Sequence, residues 1–170
     1  MGSPEPAVAV EVTRAVCDRD LAALRRLYPP YLHDLSSFTE HYRLDEDVSW
    51  QPSYLEDWLG RPTSHSLLIR ADGLPSGFAL VAEQPFPHMP RDIDFQLAEF
   101  FVARPYRRRG VGRAAALATL RTFKGSWNLS VFDRNLPAVA FWRAVTGELT
   151  DGATTEVVGV GDLSMRFSTS

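Results

Sequence analysis

The segment from Asp94 to Leu120 limits the possible folds more than any other part of the chain. From about Asp94 to Ala103 it is rich in Phe, Leu and Val, the composition of a central strand. It runs directly into Arg104-Pro105 and then into Arg107-Arg108-Arg109-Gly110-Val111-Gly112-Arg113. Beyond that loop Val111, Ala114, Ala115 and Ala118 fall at i, i+3, i+4 and i+7, and Leu117 and Leu120 widen the apolar side, so a helix packed hard against a sheet is expected. A helix N-terminus leaves backbone N–H groups unpaired and carries a partial positive charge. It binds phosphate where glycines let an oxygen approach the main chain, and Gly110 and Gly112 give that access. Arg107, Arg108, Arg109 and Arg113 add charge that suits pyrophosphate or a phosphomonoester.

The rest of the chain supplies the other layers of an α/β protein. Val8 to Thr13 reads as a first strand, followed by a helix with Leu21, Leu24, Leu27 and Tyr28 on one face. Pro29 and Pro30 are expected to end that helix, leaving Tyr31 to Phe38 as a second short one. Thr39 to Pro62 carries the acidic run Asp45-Glu46-Asp47 and scattered aromatics without a readable period. Ser66 to Arg70 and Gly77 to Glu83 form a hairpin about Asp72-Gly73. Lys124-Gly125 is expected to close the alanine-rich helix, and Trp127 to Phe132 reads as another strand. Asn135 is placed to cap a helix with Pro137 in its first turn and Ala138, Phe141, Trp142 and Val145 on one face, with Gly147 at its end. Thr155 to Val160 and Leu163 to Ser168 make a terminal hairpin about Gly161. No repeat is present, and this order predicts one domain over 7–170 with a loose tail over 1–6.

The stretch Phe100-Phe101-Val102-Ala103-Arg104-Pro105-Tyr106-Arg107-Arg108-Arg109-Gly110-Val111-Gly112, with Asn135-Leu136-Pro137-Ala138-Val139-Ala140-Phe141-Trp142 downstream, resembles the GNAT superfamily of acetyl-CoA-dependent N-acetyltransferases. The resemblance implies a mixed, mostly antiparallel twisted sheet flanked by helices on both faces. It implies that Arg107, Gly110 and Gly112 belong to an R/Q-x-x-G-x-G/A loop for the CoA pyrophosphate, together with Arg108, Arg109, Val111 and Arg113. It also implies pantetheine beside the backbone of Phe100, Phe101 and Val102, a contact from Asn135, and an amine as acceptor. Homodimers are frequent in the family. One position departs from the pattern: where many members carry Tyr as a general acid for the departing thiolate, this chain has Trp142, whose indole N–H gives up no proton near neutral pH. Trp142 is left either packing in the core or facing the thioester.

An acceptor amine with a pKa of about 10.4 is almost wholly protonated at pH 7, so a base is needed. Glu99, beside Phe100 and Phe101, is the candidate, because desolvation there raises a carboxyl pKa toward a useful value. The alternative is a structural carboxylate paired with an arginine or a backbone N–H. Direct attack would form an oxyanion that a strand N–H near Val102 stabilises if the strand splays there. His33 and Asp34, next to Tyr31, are weaker candidates for the acceptor pocket, and Asp45 to Asp47 with Glu56 and Asp57 for attracting a cation. His41, His65 and His88 fall at no metal-ligand spacing, so no metal is expected.

Bulk properties exclude several classes. A net charge of -3 over 170 residues argues against a protein that coats nucleic acid or an anionic membrane. No apolar run is long enough to span a bilayer and no signal-like segment opens the chain, so a cytoplasmic location is expected. Cys17 is the single cysteine; it admits no internal disulfide and is expected to be a buried structural thiol. Two other readings compete with acetyl transfer. One is a catalytically silent acyl-CoA binder, kept open by Trp142. The other is a dinucleotide-binding oxidoreductase, which fits poorly because Gly112 is followed by Arg113, Ala114 and Ala115 rather than by the third glycine of that fingerprint.

Overall fold

In the computed structural model, which describes residues 7–170, seven strands form one mixed sheet in the order β1-β4-β5-β6-β7-β9-β8. These strands are β1 (Val10–Arg14), β4 (Ser64–Ala71), β5 (Leu74–Glu83), β6 (Phe95–Val102), β7 (Gly125–Phe132), β8 (Thr155–Val158) and β9 (Asp162–Thr169). All neighbours pair antiparallel except β6 and β7, which run parallel. A parallel pair needs a crossover, and α3 (Val111–Thr122) supplies it. A two-stranded ribbon, β2 (Arg43–Leu44) with β3 (Trp50–Gln51), and the short α2 (Leu55–Leu59) fill the stretch that had no readable period. The expected tail over 1–6 lies outside the described residues.

Helices cover both faces. On one, α1 (Asp18–Leu35) buries Leu24, Tyr28, Tyr31 and Leu32 against Phe78, Leu80 and Phe101. On the other, α3 and α4 (Leu136–Leu149) bury Ala116, Leu120, Trp142 and Val145 against Val81, Leu97, Trp127 and Leu129. The sheet pleat divides these two cores, since successive side chains of each strand point to opposite faces.

Several local expectations are corrected. Pro29 and Pro30 do not end a helix; they lie inside α1, which runs unbroken to Leu35. Leu24, Tyr28, Tyr31 and Leu32 keep one apolar stripe across both prolines, and burying such side chains gains about 1.5–3 kcal/mol each. The prolines are exposed, as are Arg25 and Arg26, whose carbonyls lose the proline N–H partners, so water can satisfy them. Cys17 is exposed rather than buried: it is the N-cap residue of α1, and Ala15 takes the buried position before it. Helix α3 stops at Thr122, and Gly125 opens β7 with φ 153°, against the Asp94 side chain. Gly147 lies within α4, two residues before its end. The Asp72-Gly73 turn and the terminal hairpin form as expected, with left-handed φ at Asp72, Gly73 and Gly161.

Candidate active site

Strands β6 and β7 are paired only at Phe95↔Trp127, Gln96↔Asn128 and Leu97↔Leu129. Both continue, β6 to Val102 and β7 to Phe132, so beyond Leu97 they splay and the β7-facing edge of β6 has no strand partner. The wedge between them is a cavity of about 250 Å³. Its walls come from β6 (Leu97 to Phe100), β7 (Leu129 to Phe132), the start of α4 (Asn135, Ala138, Trp142), α1 (Tyr31, Leu35), Tyr42 and Asp162.

A bulge decides which side chains of β6 meet this cavity. Leu80 pairs with Glu99 while Val81 pairs with Leu97, so Ala98 is an extra residue on β6. Leu97 and Phe100 therefore face the α3/α4 layer, whereas Glu99 and Phe101 face α1. In a regular strand without the bulge, Leu97 and Glu99, two residues apart, would share a face.

Glu99 is half-buried, but its Oε2 has no solvent contact and no hydrogen-bond partner. Burial pushes its carboxyl from 4.5 up to about 7, against a hydrogen bond from the Tyr31 hydroxyl that favours the charged form. The same burial, reinforced by the Glu99 charge, raises the phenols of Tyr31 and Tyr42 above their ordinary value. Trp142 is buried in the core and also forms part of the cavity wall. Its ring meets Phe100 edge to face at 5.1 Å and Phe141 at 4.9 Å.

The loop before α3 lies at the end of β6. A 3-10 turn, Arg104–Tyr106, leads into Arg108 and Gly110, both at positive φ (60° and 79°). Gly110 is the N-cap of α3 and offers no side chain to the first-turn N–H groups; the first helical bond is Ala114 N to Gly110 O at 3.0 Å. Asn135 does cap α4, its Oδ1 accepting from Ala138 N at 3.2 Å. A methyl at Gly112 would make only ordinary contact with Phe141, at 3.6 Å, so protein packing does not require glycine there.

The arginines of the loop divide by task. Arg107 donates to Val102 O (2.6 Å) and to Asp34 (2.6 Å) and stacks on Phe101, 5.4 Å from the ring centre. Arg104 shares Asp34 at 3.1 Å. Asp34 thus fastens α1 to the loop, and its carboxyl is held low because these two bonds outweigh the opposing effect of burial. Arg113 pairs with Glu148, whereas Arg108 and Arg109 are exposed and form no ion pair among the described residues. Val111 is fully buried under the helix start.

Other sequence candidates fall elsewhere. His33 is exposed against Trp50, outside the cavity wall. Asp45 orders the β2–β3 turn by accepting from Asp47 N, Ser49 N and Gln51 Nε2, and Glu56 is bound to Arg25. Tyr42, Leu35, Ser130 and Asp162 line the cavity and were not singled out in the sequence. They come from four separate segments, and no local spacing marks them. No helix is long and apolar enough to cross a membrane.

Comparison with known proteins bears on this arrangement. Residues 30–147 match the model of the acetyltransferase (GNAT) family. No curated protein sequence matches the chain. Similar solved structures include a GNAT-family acetyltransferase from Streptococcus pneumoniae, 16% identical with a TM-score of 0.59 over 95% of this chain and 100% of that one. The PaiA N-acetyltransferase of Thermoplasma acidophilum, solved in complex with coenzyme A, is 14% identical with a TM-score of 0.62 over 94% of this chain and 99% of that one. The ribosomal-protein-S18-alanine N-acetyltransferase of Escherichia coli is 16% identical with a TM-score of 0.57 over 95% of each. At these identities the structural likeness establishes the fold.

Proposed function

This chain belongs to the GNAT acetyltransferase family, and from that premise we propose that it transfers the acetyl group of acetyl-CoA to a primary amine by direct attack in a ternary complex. The observation that carries the reading is the splay of β6 from β7, which opens a cavity beside a carboxyl poised near neutrality. The uncapped start of α3 suits a pyrophosphate, with N–H groups of Val111, Gly112 and Arg113 as donors and Arg108 and Arg109 as free charge. In this reading Arg107 acts by holding the loop on Asp34 and Val102, and Asn135 by capping α4 at the cavity rim. The edge of β6 from Phe100 to Val102 has no strand partner on the side where β7 has left, and apart from Val102 O, which Arg107 holds, its outward main-chain groups are available to an extended pantetheine arm.

Glu99 takes the proton from the acceptor ammonium, directly or through one water, and so releases the nucleophilic lone pair. The amine nitrogen then bonds to the thioester carbonyl carbon and the C–S bond breaks. As that bond breaks, the nitrogen gives up its second proton to the thiolate sulfur, directly or through water, leaving the amide and free CoA thiol, so Trp142 need not supply one. Its role is to wall the cavity against water with Phe100 and Phe141.

A second reading, a silent acyl-CoA binder, is favoured by that same Trp142, which offers no acidic proton where many relatives do. Calorimetric titration with acetyl-CoA, with NADH as control ligand, tests the cofactor. Saturable one-to-one binding of acetyl-CoA alone is expected, and binding of NADH alone would overturn the assignment. Release of free thiol in the presence of amines separates the transferase from the binder. The reading further takes residues 7–170 as one domain of a cytoplasmic enzyme that pairs as a homodimer.

A further inference from the structure

The charge composition of the cavity wall restricts the acceptor. The chain carries 18 Lys and Arg and 4 His, yet none of them lines this cavity among the described residues. Its two ionisable carboxyls are Glu99 and Asp162, and much of the remaining wall is aromatic. The arginines nearest the end of α1, Arg104 and Arg107, are already engaged by Asp34.

An acceptor with a carboxylate or phosphate next to its amine would bring an anion into a desolvated space with two carboxyls and no cation. A bare ammonium meets the opposite situation. Glu99 Oε2 is buried without a partner, and ring faces attract a cation. The body of the molecule would lie against Leu35, Tyr42 and Phe132, which offer apolar contact.

We propose that this cavity selects primary amines carried on an uncharged apolar body and rejects those bearing an anion beside the amine. The inference rests on the cavity being the place of acetyl transfer. The N-terminus of a peptide with an apolar first residue presents the same chemistry as a free arylalkylamine.

The test uses phenethylamine and phenylalanine, which differ by one carboxylate, and phenylalaninamide, which restores neutrality at nearly the same bulk. Each is titrated calorimetrically into protein saturated with CoA, and each is assayed with acetyl-CoA for thiol release. Phenethylamine and phenylalaninamide are expected to bind at least 30-fold more tightly than phenylalanine, with the same order in kcat/KM. Leu35→Arg puts a cation into a half-buried wall position and is expected to narrow that ratio at least tenfold. A tetrapeptide amide beginning with phenylalanine tells the two sources apart by whether it or phenethylamine has the lower Kd.

Equal binding of phenylalanine and phenethylamine would overturn the selection, as would no binding by either. A tenfold preference for 1,4-diaminobutane over phenethylamine would overturn it too, assigning Asp162 to a second ammonium. The binding preference without turnover upholds the selection while sinking the transferase reading.

Discussion

On the α3 side of the cleft the candidate binding surface is main chain: uncapped N–H groups, two glycines and a strand edge left open by splaying. On the α1 side it is built of side chains from distant segments, Tyr31, Leu35, Tyr42 and Glu99. Main chain is supplied by any sequence that forms the right turn and helix, so the first surface tolerates change in most of its letters. Side chains brought together by tertiary packing have no such tolerance. In the proposed reading, the second surface is where chemistry and selectivity are concentrated.

The largest effect that would break this contrast lies at Glu99. Glu99→Gln keeps the shape and removes the base, and kcat/KM is expected to fall by about 10² to 10⁴. In the unaltered protein kcat/KM should rise with pH through about 7 as the carboxyl ionises. A steady-state pH profile checks both, and an unchanged rate in the variant would make Glu99 a structural carboxylate.

Glu99 also has an opposite effect on stability. Its folded pKa is raised, so the group favours the fold below its unfolded value and loses that contribution as pH rises through about 7. Glu99→Gln should therefore unfold at higher denaturant above pH 8, by up to about 3 kcal/mol, and match the parent near pH 4. Chemical denaturation at the two pH values measures it.

On the α3 side, Gly112→Val places branched bulk over the helix start, its Cβ at an ordinary contact distance of 3.6 Å from Phe141. Acetyl-CoA affinity should weaken by about 2 kcal/mol, roughly 30-fold, with little change in melting temperature. Calorimetry with thermal unfolding separates the two, and unchanged affinity would remove the loop from the site.

A smaller effect is expected where the two sides are fastened together. Asp34→Ala frees Arg104 and Arg107, with a loss of about 1–2 kcal/mol at pH 7. The Asp34 carboxyl is held low, so its contribution is present above the usual carboxylate range and is lost as pH falls through its folded value. The difference between variant and parent should thus shrink as the pH falls below the usual carboxylate range. Smallest of all, Cys17→Ser puts a capping hydroxyl at the N-cap of α1 and should raise stability by about 0.5 kcal/mol, read by thermal unfolding.

The contrast also explains what could be read before the structure was known. The strand, loop and helix from Phe95 to Thr122 were legible because the period, the glycines and the arginines sit within one short stretch. Glu99 was legible only through its apolar neighbours. The unbroken α1 was not, because the proline rule is local, whereas the packing of Tyr28, Tyr31 and Leu32 on Phe78 and Phe101 is tertiary. The roles of Tyr42 and Asp162 were illegible for the same reason. The engagement of Arg107 by Asp34 pairs positions 73 apart in the chain, which no spacing announces.

The extra residue at Ala98 has a consequence for how this protein can vary. Because it resets the in-and-out alternation of β6, the face on which Glu99 lies follows from its pairing with Leu80 and not from its spacing from Leu97. Loss of the Ala98 codon would remove the bulge and its local bend, yet leave Glu99 opposite Leu80 and Leu97 opposite Val81, each on its present face. Exchange of Ala98 for another small residue would leave both faces as they are. The facing of the carboxyl is thus held by its cross-strand partner, and a change or loss at position 98 alters the bend of the strand rather than the side on which Glu99 lies.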